Sequence, residues 1–245
     1  MLKGLLTMVF LLLTAVAAIA QQGRLESDVI RTADGDLEIT FVGHGSLIFV
    51  FNGRVIHVDP YSPLADYASL PKADLILLTH EHRDHLDVHA IDKIRIGTTR
   101  LIYPQSCART LEGGLVMKNG DVVDVDGLKI EAVPAYNLVH KRDSGQPFHL
   151  RGDGNGYVLT FGDKRVYVAG DTENTPEMKA LKDIDVAFLP MNLPYTMTPE
   201  MVADAALAFQ PKILYPYHYG DTDTSRIVEL LRDAMNIDVR IRQMK

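Results

Sequence analysis

The chain has 245 residues, 47% hydrophobic and 23% charged, which suits one large globular domain or two small ones with a substantial core. Its 25 basic side chains face 32 acidic ones, a formal net charge of −7, and no basic cluster offsets that balance, which argues against nucleic acid as a partner. Cys107 is the only cysteine, so no intramolecular disulfide can form, and a small buried residue is the expected role.

The chain opens with Lys3, the apolar run LLTMVFLLLTAVAAIA and then Gln21. One basic residue, a run short of the about 20 residues a membrane span needs, and the small-residue pattern Ala18-Ile19-Ala20 predict a secretory signal peptide over 1–20, cleaved after Ala20. A periplasmic or secreted protein without a stable membrane anchor is the expectation, and loss of Lys3 makes the mature chain one charge more negative. Residues 21–36 are polar and unpatterned and are expected to be a flexible lead-in to a domain over 37–245.

Three strands follow, over 37–43, 46–52 and 54–59, with Gly-His-Gly and Asn52-Gly53 at the joins; the latter is a strong two-residue hairpin signal. His44 in the first turn is a candidate to face a site, whereas His57 sits mid-strand and reads as a core or surface histidine. Asp59-Pro60 ends the third strand. The apolar stretch Leu75 to Leu78 then runs into Thr79 and delivers His80, His82, Asp84 and His85 within six residues. Imidazoles and a carboxylate gathered at a strand end are a metal-binding set, and that donor type suits zinc.

Beyond this loop the spacing predicts a helix over 86–96, a strand over 100–104, a short helix over 107–112 and paired strands over 121–126 and 128–134. The second half repeats the theme. Strands over 156–161 and 165–170 lead into Gly170-Asp171-Thr172, and Thr175-Pro176-Glu177 and Thr198-Pro199-Glu200 each combine a cap with a proline at the first helical position. A buried strand over 185–190 lies between them, KILYPYH (212–218) is a strand ending in His218, and Ile227, Leu230, Leu231 and Ala234 mark a last amphipathic helix. No linker separates the halves, so one domain with internal pseudo-symmetry is expected.

HEHRDH resembles the HxHxDH motif of the metallo-β-lactamase-fold hydrolases. The resemblance implies an α+β fold, the four-layer αββα sandwich, with one or two metal ions at its edge. GDT resembles the turn whose aspartate bridges two metals, and PYH the last histidine motif. Carried over residue by residue, His80, His82 and His149 would hold one ion, and Asp84, His85 and His218 the other. Asp171 would bridge them, which makes Asp84 and Asp171 the carboxylates closest to the chemistry. Asp59 would orient a metal-bound histidine.

The family expects a histidine where Tyr136 and Asn137 stand, which leaves His140 and His149 as candidates for that ligand. His149 is preferred because PFHLRGDGNGY resembles the FHPKG-type loop of one bacterial and archaeal branch, while His140 lies among Lys141, Arg142 and Asp143. The implied cofactor is a pair of Zn2+ ions, with Mn2+ or Fe as alternatives, and the implied chemistry is hydrolysis by a bridging hydroxide. Tyr136, Tyr195, Tyr219 and His44 are candidates to protonate the leaving group.

The pattern over nearly the whole mature chain is similar to the branch that includes ascorbate-6-phosphate lactonase and, more distantly, the phospholipase D acting on N-acyl-phosphatidylethanolamine. A small ester, lactone or phosphodiester is therefore the expected substrate. A lipid phosphodiester and a non-catalytic metal-binding role are the alternatives. The apolar loop carrying Met191, Leu193, Pro194, Tyr195 and Met197 reads either as the lining of an apolar substrate pocket or as core.

Overall fold

The computed structural model describes residues 25–245, so the expected signal peptide and the start of the lead-in lie outside it. Among the described residues, fourteen strands form two seven-stranded sheets. The first runs in chain order: β1 (Glu26–Thr32), β2 (Gly35–Gly43), β3 (Ser46–Phe51), β4 (Arg54–Val58), β5 (Leu75–Leu77), β6 (Arg100–Tyr103) and β7 (Leu115–Val116). The second contains β8 (Val122–Val125), β9 (Leu128–Ala135), β10 (Gly154–Phe161), β11 (Lys164–Val168), β12 (Val186–Pro190), β13 (Ile213–Tyr217) and β14 (Asp238–Val239), again in sequential order. In each sheet the first four strands pair antiparallel and the last four parallel, which is the internal repeat expected from the sequence.

Strand periodicity sorts the side chains into layers. In β3, Leu47 and Phe49 point into the core between the sheets, while Ile48 and Val50 point the other way. The outward set of the first sheet packs under α1 (Val88–Ile94) through Ala90, Ile91 and Ile94. The second sheet is covered by α2 (Pro176–Lys179), α3 (Pro199–Phe209) and α4 (Ser225–Leu230), with Val202, Ala205, Ala206, Phe209 and Ile227 buried. The result is a four-layer αββα sandwich. Both faces of its inner strands are buried, which is why VIHV, LILL and VAFLP are almost continuously apolar. The threonine caps act as the sequence implies: Thr175 accepts from the Met178 amide and Thr198 from the Met201 amide.

Residues 25–36 correct one expectation. Instead of a flexible lead-in, Glu26–Thr32 forms the edge strand β1, antiparallel to β2. Ile30 is its one buried apolar side chain, so the strand shows no alternation to read, and charged residues on a sheet edge suppress pairing with other chains. Asp28 ties it down across the sheets, accepting from Arg242 at 2.7 and 2.9 Å. The short edge strands β7 and β14 also lie outside the predicted elements, and the predicted helix over 107–112 is a 3-10 turn at Gln105–Arg109.

Among the described residues, no helix is long and apolar enough to cross a membrane.

Candidate metal centre

The strands β4, β5, β11 and β13 all release their chains at the same rim of the sandwich, where Asp59, the His80–His85 loop, Asp171 and His218 follow their ends, and the β2–β3 turn and the β9–β10 loop add His44 and His149. Tight backbone is needed to turn them inward. Gly170 has a positive φ of 67°, and a Cβ there would lie 2.9 Å from that of Thr79, so only glycine lets the Asp171 loop close on the His80 loop. Gly45 does the same for His85, whose ring would sit 2.8 Å from an added Cβ.

Two groups of donors result. His80, His82 and His149 form one, with His80 Nε2 and His149 Nε2 at 3.0 and 3.2 Å from His82 Nδ1. His44, Asp84, His85 and His218 form the other, with the Nε2 atoms of His85 and His218 within 3.8 Å of Asp84 Oδ2. Asp171 lies between them. Its Oδ2 is 3.4 Å from His149 Nε2 and 3.9 Å from His80 Nε2, while its Oδ1 is 3.4 Å from His85 Nε2 and 3.5 Å from His218 Nε2.

The cluster fits metal ions. His85 Nε2, His218 Nε2 and Asp171 Oδ1 are buried and lack a hydrogen-bond partner although they face one another, a costly arrangement for polar atoms unless a cation satisfies them. Three or more histidine and carboxylate donors per group is the inventory of a transition-metal site. The buried carboxylates and imidazoles also shift one another's protonation. Burial would raise the pKa of Asp171, but the surrounding His218, His85 and His149 hold it well below the usual carboxylate range, so it stays ionised. Burial and then the neighbouring His85 lower the pKa of His80. For His85, burial is outweighed by Asp171, Asp59 and Asp84, which raise its pKa to about 9.

An outer ring of hydrogen bonds aims the imidazoles. Asp59, fully buried, accepts from the Thr79 amide at 2.8 Å, the Thr79 hydroxyl at 2.6 Å and His85 Nδ1 at 2.8 Å, leaving His85 Nε2 directed at the cluster. Asn137 accepts at Oδ1 from His149 Nδ1 at 2.7 Å and from the His149 amide at 2.9 Å. His140 lies outside both groups, with its Nδ1 donating to Glu173 Oε1 at 2.6 Å.

Sequence reasoning missed Glu173. This fully buried carboxylate accepts from the amides of Leu138, Val139 and His140, from the His140 ring and from Asn137 Nδ2, so it anchors the loop that carries His149. Burial alone would raise its pKa, yet the amides of His140 and Val139 hold it below the usual value.

His44 is more involved than its turn suggested. Its Nε2 is 3.0 Å from Asp84 Oδ2, and its ring lies 3.7 Å from that of His218. Of the other acid candidates, Tyr136 donates to Glu177 and Tyr219 to the Arg242 carbonyl, whereas Tyr195 lines a cavity of about 430 Å3 over the cluster together with His44, Asp84, His149, Asp171 and His218. In the apolar loop, Met191 and Met197 are core, and Leu193 and Tyr195 are exposed, Tyr195 at this cavity. A second cavity of about 350 Å3, lined by His80, His82, Phe148, Leu150 and Asp171, shares His149 with the first.

Residues 38–218 match the β-lactamase superfamily domain. The chain belongs to the β-lactamase superfamily. It is similar to a UPF0173 metal-dependent hydrolase of Pelotomaculum thermopropionicum, 29% identical over 84% of this chain and 96% of the relative. A crystal structure from Parabacteroides distasonis, of a protein assigned to the metal-dependent hydrolases, is 51% identical, with a TM-score of 0.87 over 91% of this chain and 100% of that one. The fold is shared with a metallo hydrolase of the archaeon Ignicoccus hospitalis, 24% identical, with a TM-score of 0.70 over 84% of this chain and 95% of that one. As a β-lactamase superfamily member with these relatives and this His/Asp cluster, the chain is a metal-dependent hydrolase.

Proposed function

We propose that the chain is an exported, two-metal hydrolase of small esters, lactones or phosphodiesters. The observation that carries this reading is the position of Asp171, whose two carboxylate oxygens each face a separate histidine group. His80, His82 and His149 would hold one cation, and Asp84, His85 and His218 the second, with Asp171 shared. Zinc suits these donors best, and manganese or iron is compatible with a set that lacks thiolate. Divalent cations bound there supply Lewis-acid polarisation and a water that ionises near neutral pH.

The chain's own residues do the rest. Asp59 and Asn137 fix the two histidines they touch, so the donors keep their aim without reorganisation. His44, in contact with Asp84 and lining the cavity, is placed to pass a proton to the departing oxygen, and Tyr195 closes the same side. In the hydrolysis, the bond from the acyl or phosphoryl centre to the leaving oxygen breaks and a bond to the water oxygen forms. One water proton goes to the leaving group and the other to solvent. Export is supported by Lys3 and the apolar run ending at Ala20. A lipid phosphodiester is a second reading, favoured by the exposed Leu138, Val139, Leu150 and Leu193 in the loops around the two cavities.

The test is initial rates of the metal-loaded chain on chromogenic ester, lactone and phosphodiester substrates, with and without chelator. Chelator-sensitive turnover of at least one class supports the reading. Metal-loaded protein inert toward all three contradicts it.

A further inference from the structure

Most arginines of this acidic chain lie against carboxylates, as in Arg54 with Asp126, Arg165 with Glu131, Arg226 with Glu200 and Arg242 with Asp28. Among the described residues Arg31, Arg83, Arg95, Arg109 and Arg142 have no ion-pair partner, and of these five Arg83 and Arg142 line the cavity of about 430 Å3 that holds Asp84, His149, Asp171 and His218. The carboxylates of that cavity, Asp84 and Asp171, are turned to the imidazoles, so they leave the guanidinium charge unneutralised.

Arg142 is also held in place. Its Nη2 donates to the Phe148 carbonyl at 3.3 Å, and its guanidinium stands 5.0 Å from the centre of the Phe148 ring, which packs edge-on against Tyr195 at 5.1 Å. The turn beneath it is closed by the Arg142 amide on the Gln146 carbonyl at 2.8 Å. Arg142 lines the cavity of about 350 Å3 as well, so it stands at the wall common to both spaces. Arg83 lies between His82 and Asp84, on backbone fixed by the cluster itself.

From this arrangement we infer that Arg83 and Arg142 form an oxyanion subsite, and that the substrate carries a carboxylate or phosphate apart from the bond that is hydrolysed. A planar guanidinium with several free N–H donors is the side chain best matched to either group. The inference rests on the hydrolase reading and adds the substrate's charge to it.

Two arms test it. The first compares p-nitrophenyl hemiglutarate with p-nitrophenyl valerate, which differ by a terminal carboxylate in place of a methyl, on the metal-loaded parent, R142A, R83A/R142A and R142K. The parent should favour the anionic ester in kcat/KM by about tenfold or more, the preference should fall toward parity in both alanine variants, and R142K should recover part of it. The second arm measures propyl phosphate binding to the same metal-loaded proteins by calorimetry; about tenfold weaker binding to R142A than to the parent identifies a phosphate as the anion. Metal content is measured on each variant, and R142A, which lies outside the HEHRDH loop, serves if R83A/R142A loads poorly. The inference is overturned if neither the ester preference nor propyl phosphate binding depends on the arginines. Failure of the hydrolase reading looks different: neither ester is cleaved by loaded parent, and calorimetry then decides the subsite alone.

Discussion

Replacing Glu173 with glutamine removes a charge and almost no volume, and it should loosen the metal centre from a distance. Glu173 Oε2 accepts from the Leu138 and Val139 amides, both at 2.6 Å. Its Oε1 accepts from the His140 amide at 2.7 Å, His140 Nδ1 at 2.6 Å and Asn137 Nδ2 at 3.2 Å. Whichever oxygen becomes an NH2 group, at least two donors then face a donor inside a buried pocket. At about 1–3 kcal/mol per stranded donor, and with water reaching the loop's exposed side, E173Q should cost about 3 kcal/mol. For a domain of this size that lowers Tm by about 6–12 °C. The disturbance passes through Asn137 to His149, so metal affinity should fall about 10–100-fold, as for other outer hydrogen-bond partners of metal ligands. Thermal unfolding of the metal-free protein and a competition titration against a chelating dye read the two effects separately. A Tm within about 2 °C of the parent, together with unchanged metal affinity, would refute the anchoring role.

H149A should lose bound metal while H140A keeps it, because His149 shares a donor group with His80 and His82 whereas His140 is turned to Glu173; elemental analysis showing loss in H140A alone would reverse the assignment. D59N should weaken metal binding about 10–100-fold by placing a donor against Thr79 or His85, and an unchanged chelator titration would count against Asp59 as the group that aims His85. His57 is buried, with Nε2 donating to the Pro71 carbonyl at 3.0 Å, and burial lowers its pKa from 6.5 to about 4. The unfolded chain therefore takes up a proton that the folded chain refuses, so this contribution is complete above the unfolded pKa and is lost as pH falls toward 4, for a total of about 3 kcal/mol. Urea unfolding at neutral pH and at about pH 4 should show H57Q losing about 3 kcal/mol less than the parent, and parallel losses would remove His57 from the acid response.

The sandwich was legible because inner strands buried on both faces leave long apolar runs, and because Thr-Pro caps and Asn-Gly or Asp-Gly turns punctuate them. Most of the metal centre was legible because His80, His82, Asp84, His85, Asp171 and His218 follow strand ends in short motifs. His149 could be preferred over His140 only through resemblance; the physical reason, Asn137 holding one imidazole and Glu173 the other, needs the two loops to meet in space. Glu173 itself carried no signal, since one glutamate after Gly-Asp-Thr looks like any polar turn residue. The strand at Glu26–Thr32 was hidden for a different reason: it is held by Asp28 reaching Arg242, some 214 positions away, and not by an apolar face. The pairing of Arg83 with Arg142 in one cavity is likewise a property of the fold, not of either motif.

If Asp171 joins two metal sites, as proposed, metal content per chain after reconstitution with zinc and removal of free ions reads it out. The parent should retain about two ions per chain, and D171N should retain markedly less with the fold intact by circular dichroism. A parent that binds no zinc, or a D171N variant that binds as much and as tightly as the parent, would mean that Asp171 does not join two metal sites.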